Sequence, residues 1–139
     1  MMKAMTYLGP RIIQINHFES RKLKNGCVKL KSLFSGISHG TEMAVYRGIA
    51  PFYKKVQDGE TRLFHPENEN QSWNYPVNSC DPGVWYMGYS VVGEVIELAS
   101  DVTTLAIGDI VYASAPHMSE IVCQANQCVK IPENVKPQN

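Results

Sequence analysis

At 139 residues the chain falls in the commonest size range for a single domain, long enough to bury about two thirds of the surface its unfolded form exposes. Hydrophobic residues make up 44% of it and charged residues 19%, a balance that excludes a disordered chain or a membrane span and fits an ordinary globular domain. Thirteen basic residues offset thirteen acidic ones, so no net field draws nucleic acid or acidic lipid to the protein, and neither is an expected partner.

The chain opens with two short β-type runs, residues 3–8 and 12–16, separated by Gly9-Pro10; this pattern predicts a hairpin. The same turn arrives too early for the apolar run of a secretory signal, so a cytoplasmic protein is expected. After the turn signal Asn25-Gly26, residues 27–35 set Val28, Leu30 and Ser32 against Lys29, Lys31 and Leu33, the alternation of a strand with one partly solvated face. Thr41, placed to cap, and Gly48, placed to stop, bracket a short helix of about two turns. Residues 49–83 carry Pro51, Pro66, Pro76 and Pro82 and a polar tract, and read as a long surface excursion. Residues 90–98 form the strongest strand candidate, in which Gly93 predicts a bulge or a close backbone approach. Further strands are expected at residues 110–113, 119–123 and 127–131. Many short strands with few helices argue for a small barrel or sandwich.

The four cysteines, Cys27, Cys80, Cys123 and Cys128, show no Cys-x-x-Cys spacing, and reduced thiols are expected. Cys123 and Cys128 are the only close pair; both fall in strand-like stretches and read as packing residues. No Gly-x-Gly-x-x-Gly is present, so the chain lacks the turn that holds a dinucleotide on a Rossmann helix.

Three stretches in order carry a resemblance. Residues 34–48, containing Gly36-Ile37-Ser38-His39-Gly40-Thr41-Glu42 and ending Tyr46-Arg47-Gly48, are similar to a Gly-Ile-Cys-Gly-Thr-Asp segment running into a helix. Met87-Gly88-Tyr89-Ser90-Val91-Val92-Gly93-Glu94-Val95 resembles Gly-His-Glu followed by a small-residue strand. Residues 100–111, ending Gly108-Asp109-Ile110-Val111, resemble a loop and strand ending Val-Gly-Asp-Arg-Val. Together they resemble the N-terminal GroES-like domain of the medium-chain dehydrogenase/reductase family, across nearly all of the chain outside residues 49–83. The resemblance implies a mainly β fold, a partly open GroES-like barrel with short helices, spanning residues 1–139 as the substrate-side domain. It also implies hydride transfer between NAD(P) and a carbonyl, alcohol or activated alkene, with the cofactor on a Rossmann domain absent from this chain. By itself the chain is therefore expected to bind no cofactor and to be inactive.

Where zinc-bearing members carry Cys and His, this sequence reads Ser38 or His39 and Tyr89. Ser and neutral Tyr are poor zinc ligands, and the four-cysteine structural lobe is missing, so no metal is expected. Without zinc, hydrogen-bond donors must meet the charge that develops on the substrate oxygen. Thr41 stands at the place of the family's substrate-contacting hydroxyl, or is only a helix cap. His39 is a proton relay or a solvated loop residue. Tyr89 donates to substrate or fills the vacant metal space. These residues, with Ser38, are the catalytic candidates. Tyr46, Trp73 and Trp85 are the substrate-binding candidates, the aromatics either lining a pocket or pinning the excursion. Glu42 stands where the family carries an acid behind its metal ligands, and is expected to interact favourably with the helix N-terminus. The alternative to an oxidoreductase is a non-catalytic GroES-like binding module, since fold alone does not give function.

Overall fold

A computed structural model describes residues 1–49, 55–66 and 84–138. In chain order the strands are β1 (Met2–Gly9), β2 (Ile12–Phe18), β3 (Cys27–Ser35), β4 (Lys55–Gln57), β5 (Phe64–Pro66), β6 (Val91–Leu98), β7 (Ile110–Ala113), β8 (Glu120–Gln124) and β9 (Val129–Lys130). One helix, α1 (Thr41–Arg47), follows β3, and a single 3-10 turn (Ala125–Gln127) follows β8.

The opening hairpin forms as expected, with Met2 opposite Phe18 and Tyr7 opposite Ile13. Its turn places Arg11 at φ 62°, a left-handed conformation uncommon for a residue with a side chain. The Arg11 N–H donates to the Tyr46 carbonyl at 2.6 Å, which ties the strained turn to the end of α1. Alternate residues of β1, Met2, Ala4 and Thr6, are buried. The free edge of β1 is stitched to two loop segments: Met5 N–H donates to the His117 carbonyl at 2.9 Å and Tyr7 N–H to the Trp85 carbonyl at 2.8 Å. These contacts bring residues 85–87 and 117–119 side by side across β1, and that junction builds the site described below.

The main sheet is antiparallel throughout, in the order β8-β3-β6-β7-β9. The alternation read in β3 appears as burial: Val28 and Leu30 are fully inside, whereas Lys31 and Leu33 are exposed. Val28, Leu30, Val95 and Val111 meet in the core with Tyr86, each aliphatic side chain contributing about 1.5–3 kcal/mol by leaving water. Phe18 of β2 closes this core edge-on to Tyr86, ring centroids 5.6 Å apart. Gly93 is the close approach its position predicts, because a Cβ there would stand 3.0 Å from the Lys31 carbonyl oxygen and 3.2 Å from the Leu30 Cβ. The register of β3 against β6 shifts twice, between Lys29 and Leu30 and between Ser32 and Phe34, and such bulges bend a sheet towards a barrel.

The architecture is mainly β and partly open, with one short α-helix among the described residues. Two expectations need correction. The excursion at 49–83 is not wholly irregular, since β4 and β5 form a short hairpin within it. Its turn is organised by Asp58, whose carboxylate accepts the N–H groups of Glu60 and Thr61 and the Thr61 hydroxyl; a side chain that supplies turn acceptors leaves no periodicity to read. Likewise Cys128 lies between the 3-10 turn and β9 rather than in a strand.

Candidate functional site

Helix α1 is fixed by its ends. Gly48 takes φ 71° at the C-terminus, and its N–H donates to the Val45 carbonyl at 2.9 Å. At the other end Gly40, not Thr41, is the N-cap residue. The capping expected of Thr41 is performed by Ser38, whose Oγ accepts the Thr41 N–H at 3.1 Å. Glu42 answers reciprocally, its Oε2 accepting the Ser38 N–H at 2.7 Å. This exchange resembles a capping box displaced outward by the glycine-flanked turn. It gives Ser38 a structural task and leaves the Thr41 side chain, half-buried in the first turn, outside the cap.

Glu42 does more than favour the helix terminus. It is 2% exposed, and its Oε1 lies 2.6 Å from Nε2 of His117, itself 8% exposed. Both carboxylate oxygens are thus engaged, as a buried charge requires. With Nε2 donating to the carboxylate, Nδ1 of His117 is buried without a hydrogen-bond partner among the described residues. His117 is held by its backbone as well: its N–H donates to the Met87 carbonyl at 2.8 Å. Gly88 sits at φ 102°, and a Cβ there would come within 2.7 Å of both the His117 backbone nitrogen and its Cγ, so only glycine lets the 87–89 loop pass.

The Glu42–His117 pair therefore links the helix that carries Thr41 to the loop that carries Tyr89. Ser38 and Thr41 share one turn, and Tyr89, half-buried, follows Gly88 directly. His39 is exposed. Tyr46 and Trp85 are half-buried around a second apolar cluster of Val45 and Met87, to which Tyr7 adds a hydroxyl bond to the Val45 carbonyl at 3.2 Å. Trp73 lies outside the described residues. His117 was not singled out by the sequence reading. Its only signal is a histidine in the small, apolar run Ala113-Ser114-Ala115-Pro116-His117-Met118, and its partner is 75 residues away.

Among the described residues, no group of three or more His, Cys, Asp or Glu side chains could hold a metal ion. Glu42 and His117 are bonded directly to each other, with no gap for an ion between them.

No family model matches the chain. In sequence it is 30% identical over 124 residues to D-guloside 3-dehydrogenase of Escherichia coli (strain K12), an alignment covering 89% of this chain and 34% of that protein. In structure it is similar to 2R,3R-butanediol dehydrogenase from Bacillus subtilis (TM-score 0.67, 20% identity, 99% of this chain and 42% of that one). It is also similar to CurF ER cyclopropanase from the curacin A biosynthetic pathway (TM-score 0.67, 17% identity, 99% and 37%). The fold is that of a GroES-like domain of the medium-chain dehydrogenase/reductase type. The chain spans about a third of the length of the curated relatives it matches.

Proposed function

We propose that this domain is the substrate-side part of a zinc-independent, NAD(P)-dependent oxidoreductase that moves hydride to or from a carbonyl, alcohol or activated alkene. The observation that carries this reading is the convergence of the Thr41 helix and the Tyr89 loop on the buried Glu42–His117 pair, in a chain related in sequence to a dehydrogenase. Rigid placement of two hydroxyl donors is what a site without a Lewis acid needs in order to meet developing negative charge on oxygen. Thr41 and Tyr89 are the donors assigned here. His39, exposed beside the same turn, is the proton relay to solvent. Tyr46 and Trp85 are the apolar wall. A glycoside hydroxyl, by analogy with D-guloside 3-dehydrogenase, is the first substrate class to assay.

Positioning the nicotinamide belongs to a separate nucleotide-binding domain in this reading, because no glycine-rich phosphate turn occurs in the sequence. A cytoplasmic setting is part of the proposal. Among the described residues, no helix is long and apolar enough to cross a membrane.

Two measurements test it. The 139-residue chain is titrated with NADH and NADPH while its fluorescence is followed, then assayed with aldehydes, quinones and glycosides; the expected outcome is neither saturation at micromolar cofactor nor turnover. Elemental analysis after dialysis is expected to find well under one zinc per chain. Saturable cofactor binding or a retained stoichiometric zinc overturns the corresponding half of the proposal.

A further inference from the structure

Away from this site, the sulfurs of Cys123 and Cys128 lie 3.5 Å apart, both side chains half-buried and neither in a disulfide. Cys123 is on β8, Cys128 follows the 3-10 turn, and the two residues flank that turn. Cys123 also lines an open groove of about 620 Å³, a volume within the range that small-molecule ligands occupy. Arg21, Lys22, Lys24, Cys27 and Gln127 line the same groove, and no carboxylate is among its described lining residues. Basic side chains around the groove attract an anionic reactant to the thiol.

We propose that Cys123 and Cys128 form a thiol–disulfide exchange site whose substrate is the disulfide of a small anionic thiol, with glutathione disulfide as the type. The inference does not depend on the oxidoreductase reading. The S–H of Cys123, hydrogen-bonded to the Cys128 sulfur, holds the Cys128 thiol below the ordinary thiol range and is itself held above it; the pair thus gives up its first proton readily and shares the second. When that shared proton passes to Cys128, the Cys123 thiolate on the groove wall attacks one sulfur of the docked disulfide. A mixed disulfide forms at Cys123 and one thiolate departs. The Cys128 proton goes to that departing thiolate, and the Cys128 thiolate attacks the Cys123 sulfur, expelling the second thiolate. Two protein thiols are oxidised and one disulfide is reduced to two small thiols. Closing the bond shortens the sulfur separation to about 2.05 Å and staples the end of β8 to the start of β9.

The test incubates the full chain with glutathione disulfide and maps its thiols by alkylation and non-reducing peptide mass spectrometry. The expected product lacks two hydrogens and contains a Cys123–Cys128 cross-linked peptide. Cys128→Ser is expected to stop at a glutathione adduct on Cys123, while Cys123→Ser reacts about ten-fold more slowly, having lost the groove-facing nucleophile. The double variant Lys22→Gln/Lys24→Gln is expected to slow the reaction with glutathione disulfide about five-fold and to leave that with neutral 2-hydroxyethyl disulfide unchanged. Oxidation that falls on Cys27 or Cys80, or a wild-type chain that keeps both thiols of the pair under conditions that oxidise free cysteine, overturns the proposal. The wild-type map decides the matter even if a variant fails to fold.

Discussion

At the scale of single residues, the division of labour around α1 separates chemistry from stability. Ser38 supplies the acceptor for a backbone N–H at the helix start, so Ser38→Ala should cost about 1 kcal/mol, as loss of a cap does. Thr41 makes no cap, and Thr41→Val should lower the midpoint of urea unfolding much less than Ser38→Ala. In a parent enzyme carrying the cofactor domain, the same Thr41→Val should lower kcat/KM by at least about ten-fold through loss of a transition-state donor. Equal stability losses for the two variants would return Thr41 to the capping role. Glu42 is a different case, because it is buried with both oxygens engaged. Glu42→Ala leaves His117 buried opposite a cavity and should destabilise the domain by about 3 kcal/mol in chemical denaturation. Glu42→Gln keeps the shape and an acceptor, and should cost less.

At the scale of elements, two loops are each fixed through a single position. Gly88 combines a positive φ with a Cβ direction blocked by His117. Gly88→Ala adds backbone strain to overpacking and should destabilise by at least about 2 kcal/mol, read as a fall in the thermal midpoint; Gly40→Ala, with open space around the Cβ, should fall far less. Before β7, Asp109 accepts the Lys130 ammonium at 2.6 Å and the Ala106 N–H at 2.9 Å, joining the turn to β9. These bonds, Lys130 first, hold its carboxyl below the ordinary range. A depressed folded pKa contributes stability above the unfolded carboxyl pKa of about 3.9, and that contribution disappears as pH falls through the folded value. Asp109→Asn should therefore lower the thermal midpoint at pH 7 and have a smaller effect at pH 2–3. A difference between the two proteins that does not shrink in acid would show that Asp109 acts through something other than its charge.

At the scale of the whole molecule, the strands were legible because their signals are local. Alternation in residues 27–35, the Gly9-Pro10 turn and the Gly-containing run at 90–98 each specify a strand or turn from a few neighbours, and β1, β2, β3 and β6 follow. The stretches that resemble medium-chain dehydrogenases/reductases pointed to the mainly β, partly open fold. What the sequence by itself determined, then, is the strand pattern, the helix with its glycine stop, and the absence of a phosphate-binding turn. Only the tertiary structure decided which residue caps α1, because a hydroxyl three positions before Thr41 reaches it only once the turn is folded. The same holds for the Glu42–His117 pair, whose partners stand 75 residues apart. It depends on where β1 brings residues 85–87 and 117–119 together, and no local period encodes a contact made by long-range closure of the chain.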